Sequence, residues 1–418
     1  MSTYIINGGN RLEGEIKVQG SKNASLPIIA ATVLNGKYNV IKNCPNITDV
    51  ITMQKILNLL GCKVKYHDNI LEVDSSTFSN EEIEEELMKE MRSSVILMGA
   101  ILGRNKRVIL THPGGCEIGA RPIDLHLKGL QKLGINIIEK HGLIICEAVN
   151  LVGADVNLDF PSVGATENIM LAAVKAKGRT VIRNVAREPE IIELQKFLNS
   201  MGAKVKGAGS SIIRIDGVEE LNGSEYEVEP DRIVAGTYLC AGAITGGELL
   251  LKNVKVEEIS SVIHKLKETG CKIKSINNKD VEIIAPKKLK PIDTIKTLPY
   301  PGFPTDMQSQ FTAMLSVADG ISVVTENIFE NRYKYVSELY KMGANITIEG
   351  RTAIIKGVPN LTGAEVVAKD LRGGAALVLA GLKAEGYTNI SQINFIERGY
   401  EDFVENLKKV GADIRIKS

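Results

Sequence analysis

The chain has 418 residues in which 51 Lys and Arg stand against 50 Asp and Glu, so its formal net charge is +1. No global field then favours nucleic acid or an anionic membrane. The length supports two large cores, and the six cysteines (Cys44, Cys62, Cys116, Cys146, Cys240 and Cys271) form no CxxC pair and no Cys/His ligand spacing, so neither a metal nor a cofactor is expected.

The start, Met1-Ser-Thr-Tyr-Ile-Ile-Asn-Gly-Gly, has no basic region and no long apolar run, and no stretch reaches the roughly 18 apolar residues of a membrane span. A cytoplasmic, reduced protein is expected. Residues Tyr4-Ile-Ile-Asn-Gly-Gly-Asn-Arg-Leu-Glu-Gly-Glu-Ile-Lys-Val18 read as strand. Ala24 to Leu34 reads as a helix apolar nearly all round, and such a helix must be enclosed by other elements. Met53, Ile56, Leu57 and Leu60 follow the i, i+3, i+4, i+7 spacing of an amphipathic helix, which Gly61 closes. Lys63-Val-Lys-Tyr and Ile70-Leu-Glu-Val then read as paired strands with one wet face.

That order recurs along the chain. Leu-Gly-Cys-Lys-Val at Gly61 is followed by equivalents at Gly134, Gly202, Gly270, Gly343 and Gly411, at intervals of 73, 68, 68, 73 and 68 residues. The differences 270−61, 343−134 and 411−202 all equal 209, half of 418. Further apolar helices are expected at Val95 to Leu102, Ala165 to Val174, Ala235 to Ile244, Phe311 to Val317 and Ala375 to Leu382. The chain therefore reads as a duplicated triplicate. The predicted fold is α/β, with two similar inside-out α/β barrel domains, each of three repeats with helices inside and mixed or antiparallel sheets outside. A strand pair should follow each glycine, as in Ile354-Ile-Lys-Gly-Val-Pro-Asn-Leu-Thr-Gly-Ala-Glu-Val366. The sixth repeat stops after one strand, and the N-terminus resembles the missing partner. The expected domains are 22–229, and 1–21 with 230–418. The chain crosses between them near Gly20-Ser21 and Glu229-Pro230, and Lys22 plus 209 is Asp231. Chemistry is expected where these two halves face one another.

Segments entering the apolar helices carry polar residues no core needs: Lys22-Asn23, Arg92-Ser93, Ser162-Val-Gly164, Asp231-Arg232, Asp306 and Arg372. Those entering the amphipathic helices carry Arg121, Arg187, Arg332 and Arg398. Helix N-termini with added Arg and Lys make anion sites; solvated loop charge is the alternative for any one of them. Cys116 lies in Pro113-Gly-Gly-Cys-Glu-Ile-Gly-Ala-Arg-Pro122, a shaped loop in which a nearby arginine would lower the thiol pKa. Asp306, in Tyr300-Pro-Gly-Phe-Pro-Thr-Asp-Met-Gln, has two compatible roles, helix N-cap and acid–base group.

Taken in order, Ser21-Lys-Asn-Ala, the Pro113 to His126 loop, Ser162-Val-Gly-Ala-Thr, Ala186-Arg-Glu-Pro-Glu-Ile, Pro230-Asp-Arg-Ile, Phe303-Pro-Thr-Asp-Met-Gln, Phe329-Glu-Asn-Arg332, Asp370-Leu-Arg372 and Glu397-Arg-Gly-Tyr-Glu401 resemble the bacterial UDP-N-acetylglucosamine 1-carboxyvinyltransferase family. The resemblance spans essentially the whole chain. It implies transfer of the enolpyruvyl group of phosphoenolpyruvate to the sugar 3-hydroxyl with release of phosphate, the first committed step of peptidoglycan synthesis. By resemblance Cys116 is the proton donor and can form a covalent adduct, and Asp306 is the base for the hydroxyl. Lys22, Asn23, Arg121 and Arg398 would grip the phosphate, with Lys22 and Arg398 among the catalytic groups. Arg332 and Arg372 would meet the carboxylate on closure. Arg92, the run Arg121, Pro122, Ile123, Asp124, Leu125, then Asp306 and Ile328 would contact the UDP-sugar, and Arg232 belongs to the substrate-binding set. The implied partners are these two small molecules alone, with no nucleic acid and no membrane, and the chain would be a monomer or weak homo-oligomer. One departure stands out: the lysine some members carry just before a Val-Ser-Val-Gly segment is missing from the corresponding stretch here, Asp159-Phe-Pro-Ser-Val-Gly164. The sister reaction on shikimate 3-phosphate is disfavoured by the Gly-Gly-Cys loop. A ring-shaped DNA clamp is disfavoured because its inner helices would be basic, whereas these are apolar.

Overall fold

The computed structural model describes residues 2–111 and 123–417. They form two compact units, one of residues 20–111 and 123–229, the other of residues 2–19 and 230–417.

In the unit of residues 20–229, each of three four-stranded sheets joins an antiparallel trio to a short parallel edge strand. In the first, Tyr38–Lys42 pairs with Ile70–Asp74, which pairs with Lys63–His67. Its edge strand Glu225–Glu227 comes from the far end of the unit, with Glu225 opposite Val40. The second sheet is edged by Glu82–Ile83 and the third by Asp155–Asn157, each reached directly after the preceding hairpin. Every repeat thus lends a strand to the next, and the third lends to the first.

The other unit repeats the scheme with the chain cut differently. Thr3–Asn7 lies between Tyr387–Ser391 and Asp413–Lys417, with Tyr4 opposite both Ile390 and Ile416. Glu13–Lys17 runs parallel to Glu248–Lys252 as that sheet's edge. The run Ile354 to Val366 is not a strand pair, which corrects the sequence reading. Thr352–Lys356 pairs with Asn345–Glu349, whereas Glu365–Val367 joins Tyr387–Ser391 in the next sheet. Pro359 has no N–H to donate to a ladder, so the chain leaves the sheet there.

Three helices fill the inside of each unit, because their sequences offer no polar face. They are Lys22–Ala31, Leu97–Asn105 and Val163–Ala173, then Arg232–Thr245, Gln308–Leu315 and Leu371–Lys383. Every side chain of Gln308–Leu315 is buried. Packing is close: a Cβ at Gly99 would stand 2.2 Å from the Asn168 carbonyl oxygen, so only glycine fits. Caps start these helices at matching places. Ser21 Oγ accepts from Ala24 N, and Ser162 Oγ from Ala165 N. Asp231 Oδ1 accepts from Ile233 N and Val234 N, and Asp370 Oδ1 from Arg372 N and Gly373 N. Ser21 and Asp231 are 231−21 = 210 apart, so Lys22 corresponds to Arg232 rather than to Asp231.

All six repeat glycines take left-handed backbone, from φ +84° at Gly134 to φ +100° at Gly411. At Gly202 the turn is closed by Gly202 N donating to Asn199 O and Ala203 N to Leu198 O, and Gly343 and Gly411 repeat it. Left-handed closure of a helix is the ordinary use of glycine at this position. The following strand can then start only one way, which fixes its register.

Candidate active site

Asp306 lies in the single turn Thr305–Met307 that leads into Gln308–Leu315, and neither segment has a side-chain cap. Its carboxylate does other work. Oδ1 accepts from Arg332 Nη2 at 2.8 Å and Oδ2 from Arg372 Nη2 at 3.1 Å. The Asp306 side chain is 25% exposed while Arg332 and Arg372 are 3% and 4%, so the triad is sealed on the cation side and open on the carboxylate side. Arg332 also keeps Nε and Nη1 buried with no hydrogen-bond partner.

The surroundings hold these guanidinium groups in place. Burial alone would lower Arg372, but Asp306, Tyr400 and Asp231 outweigh it and hold the group above its ordinary value. Arg372 Nη1 donates to the Tyr400 hydroxyl at 3.3 Å, and its Cζ stands 5.6 Å from that ring's centroid. Arg332 Cζ lies 5.3 Å from the Phe329 ring. Buried Glu326 gathers the segments that carry the site. Its Oε1 accepts from Thr297 Oγ1, Ile328 N and Phe329 N, and its Oε2 from Thr305 Oγ1. Ile328 and Asp306 are therefore tied to one carboxylate. Arg232 places Cζ 5.6 Å from the Tyr300 ring. Half-buried Arg398 ends the short helix Asn394–Glu397, and Gln19 clamps the residues after it, donating to Gly399 O and accepting from Glu401 N.

In the unit of residues 20–229, Lys22 opens its helix and places Nζ 3.0 Å from Oδ2 of Asp49, whose side chain is 1% exposed. Asn23 follows at the same helix start. Arg92 opens the turn Arg92–Ile96, close enough to His126 to disfavour its charged form. Burial first, then Arg92, pulls His126 down to about 4. Its Nδ1 lies 2.8 Å from Asn168 Nδ2; that amide must be the donor, so the imidazole carries its proton on Nε2. Ile123 is buried ahead of the helix Asp124–Lys132. Leu125 lines a groove of about 450 Å³ with Lys128, Leu158 and Asp159. Lys128 spans Asp124 and Asp159 at 3.7 and 3.8 Å, an exposed arrangement worth little.

Cys116, Arg121 and Pro122 lie outside the described residues. Sequence reasoning missed Glu326, Tyr400 and Asp49. Asp49 had a signal, as an acid entering an amphipathic helix, and Tyr400 lay inside the Glu397 to Glu401 motif. Among the described residues no group of three or more His, Cys, Asp or Glu could hold a metal ion, and no helix is long and apolar enough to cross a membrane.

A family model described as EPSP synthase (3-phosphoshikimate 1-carboxyvinyltransferase) matches residues 6–407. A UDP-N-acetylglucosamine 1-carboxyvinyltransferase 2 from Caldanaerobacter subterraneus subsp. tengcongensis is 55% identical and covers 99% of each chain. A UDP-N-acetylglucosamine 1-carboxyvinyltransferase 1 from Symbiobacterium thermophilum is 51% identical over 98% of this chain and 94% of that protein. Among solved structures, the enolpyruvyl transferase NikO from Streptomyces tendae superposes with a TM-score of 0.89 at 24% identity, covering 100% of this chain and 99% of that one. An EPSP synthase from Acinetobacter baumannii gives 0.75 at 20% identity, with 100% of both chains covered. At these identities the two structures speak to the fold.

Proposed function

The chain belongs to the UDP-N-acetylglucosamine 1-carboxyvinyltransferase family of enolpyruvyl transferases, and from that membership we propose that it transfers the enolpyruvyl group of phosphoenolpyruvate to the 3-hydroxyl of UDP-N-acetylglucosamine, releasing phosphate. In a bacterium this is the first committed step of peptidoglycan synthesis, and the reading carries a cytoplasmic enzyme that is a monomer or weak homo-oligomer. One observation supports the assignment above the rest. Asp306 is flanked by two buried guanidinium groups, those of Arg332 and Arg372.

The chemistry distributes over these residues as follows. The hydroxyl oxygen bonds to C2 of phosphoenolpyruvate while its methylene carbon gains a proton, and phosphate later leaves as the methyl carbon returns a proton. Cys116 delivers the first proton. Asp306 takes the hydroxyl proton, its carboxylate aligned by the bonds from Arg332 and Arg372. Arg332 and Arg372 meet the carboxylate. Lys22, Asn23, Arg121 and Arg398 bind the phosphate, and Asp49 holds Lys22 Nζ in place. Arg92, Arg121 to Leu125, Arg232 and Ile328 contact the UDP-sugar. Preorganised cations around developing charge supply much of the acceleration in such sites.

Phosphate release from phosphoenolpyruvate, measured with UDP-N-acetylglucosamine and separately with shikimate 3-phosphate, tests the reading. Release with the nucleotide sugar alone is expected. Release with shikimate 3-phosphate alone would move the chain to the sister activity named by the family model.

A further inference from the structure

We propose that Tyr400 is a positioning residue for this reaction, aiming Arg372 at the carboxylate of phosphoenolpyruvate; the proposal rests on the function just given. The geometry fixes the direction of every hydrogen bond around the phenol. Thr237 Oγ1 lies 2.8 Å from Ile233 O, an acceptor only, so the threonine spends its one hydrogen there. It must therefore accept from its other neighbours, Gln310 Nε2 at 3.1 Å and the Tyr400 hydroxyl at 3.0 Å. With its hydrogen committed to Thr237, the phenol oxygen turns its lone pairs toward Arg372 Nη1 at 3.3 Å. Gln310 Nε2, at 3.5 Å, approaches the same oxygen as a weaker second donor.

All members of this network are buried: Tyr400 is 3% exposed, and Thr237 and Gln310 are 0%. The ring is held by stacking on Phe403, with centroids 4.6 Å apart. Thr237, Gln310 and Arg372 come from the three interior helices of the unit, so one phenol draws on all three. Arg372 then donates Nη2 to Asp306 while Nη1, on the phenol, helps hold the plane of the guanidinium fixed. A rigid guanidinium meets a carboxylate better than one free to turn, because less rotamer freedom is lost on binding.

Steady-state kinetics of Tyr400→Phe, which deletes a single oxygen, test this beside the wild type. The expected result is a KM for phosphoenolpyruvate raised about tenfold, a KM for the nucleotide sugar within about twofold, and a smaller rise in the same direction for Thr237→Val. Tyr238→Phe is the control. That phenol is equally buried in the same unit but bonds Asn406, so its loss would affect packing without touching Arg372. A Tyr400→Phe enzyme with wild-type KM for phosphoenolpyruvate overturns the proposal, as does an equal KM shift in Tyr238→Phe. Wild-type protein that releases no phosphate would count against the proposed function instead, which keeps the two failures apart.

Discussion

Arg372 and Asp306 are 66 residues apart in sequence, yet Nη2 of one lies 3.1 Å from Oδ2 of the other, a buried guanidinium against a carboxylate whose side chain is 25% exposed. The aspartate is thus aligned by its cations and still accessible to a substrate hydroxyl. On the proposed function, Asp306→Asn keeps the shape and removes the base. Turnover should fall by about 10²–10⁴-fold, with the KM for the nucleotide sugar changed far less. Should KM rise while turnover holds, Asp306 would be a binding residue only.

Small electrophilic phosphonates of the fosfomycin kind should alkylate Cys116 and no other cysteine. The other five are buried, and burial first pushes Cys62 and Cys146 up to about 12 and Cys240 well above the ordinary thiol range. Thiolates at those positions are scarce at neutral pH. Peptide mass mapping after labelling reads this directly. Adduct on Cys240 or Cys146 would contradict it, and Cys116→Ala should abolish labelling along with most turnover.

Glu167 gives the fold a pH signature. It is buried in Val163–Ala173, where burial, then Glu190 and Glu188, raise its carboxyl well above the ordinary value. The folded chain keeps a proton that the unfolded chain loses above about pH 4.3, so stability falls as pH rises from there toward the folded value. Glu167→Gln imitates the protonated acid. Calorimetric melts should coincide with wild type near about pH 4, and the variant should melt higher by about 2–8 °C near about pH 8. Parallel curves across that range would rule out a neutral carboxyl at this site.

Glu326 separates two kinds of loss. Glutamine can place its oxygen on Thr297, Ile328 N and Phe329 N and its NH₂ toward the Thr305 hydroxyl, which can accept as readily as donate. Glu326→Gln should therefore retain most activity. Glu326→Ala strands those backbone donors and should cost about 2–4 kcal/mol in denaturant unfolding, with turnover lowered through the displaced Asp306 turn. Equal behaviour of the two variants would remove the hub from the account.

The α/β architecture with interior helices was legible because it rests on periodic signals. Each glycine motif recurs at fixed spacing, and segments such as Ala165 to Val174 have no polar face at all. The helix entries were legible for the same reason: Lys22 and Arg232 each begin an interior helix, and Arg372 is the second residue of another. The Asp306–Arg332–Arg372 pairing was not, since three residues on separate segments leave no spacing to read. The sequence reading left Asp306 as cap or acid–base group, and the structure shows no cap there. The roles of Tyr400 and Glu326 were invisible for a related reason. A single polar residue beside an apolar run looks like any loop residue until the partners that neutralise it are brought together in space. The run Ile354 to Val366 was misread because pattern alone does not say which sheet a short strand will join.

The strand each repeat lends forward also governs how such a unit can come apart. Linear repeat arrays fray from their ends, where the last element has one neighbour instead of two. Here Glu225–Glu227 returns to Tyr38–Lys42, and Glu13–Lys17 to Glu248–Lys252, so every repeat has two neighbours. Hydrogen exchange within a unit should accordingly release its three sheets together, as one cooperative opening rather than a graded melt from one side.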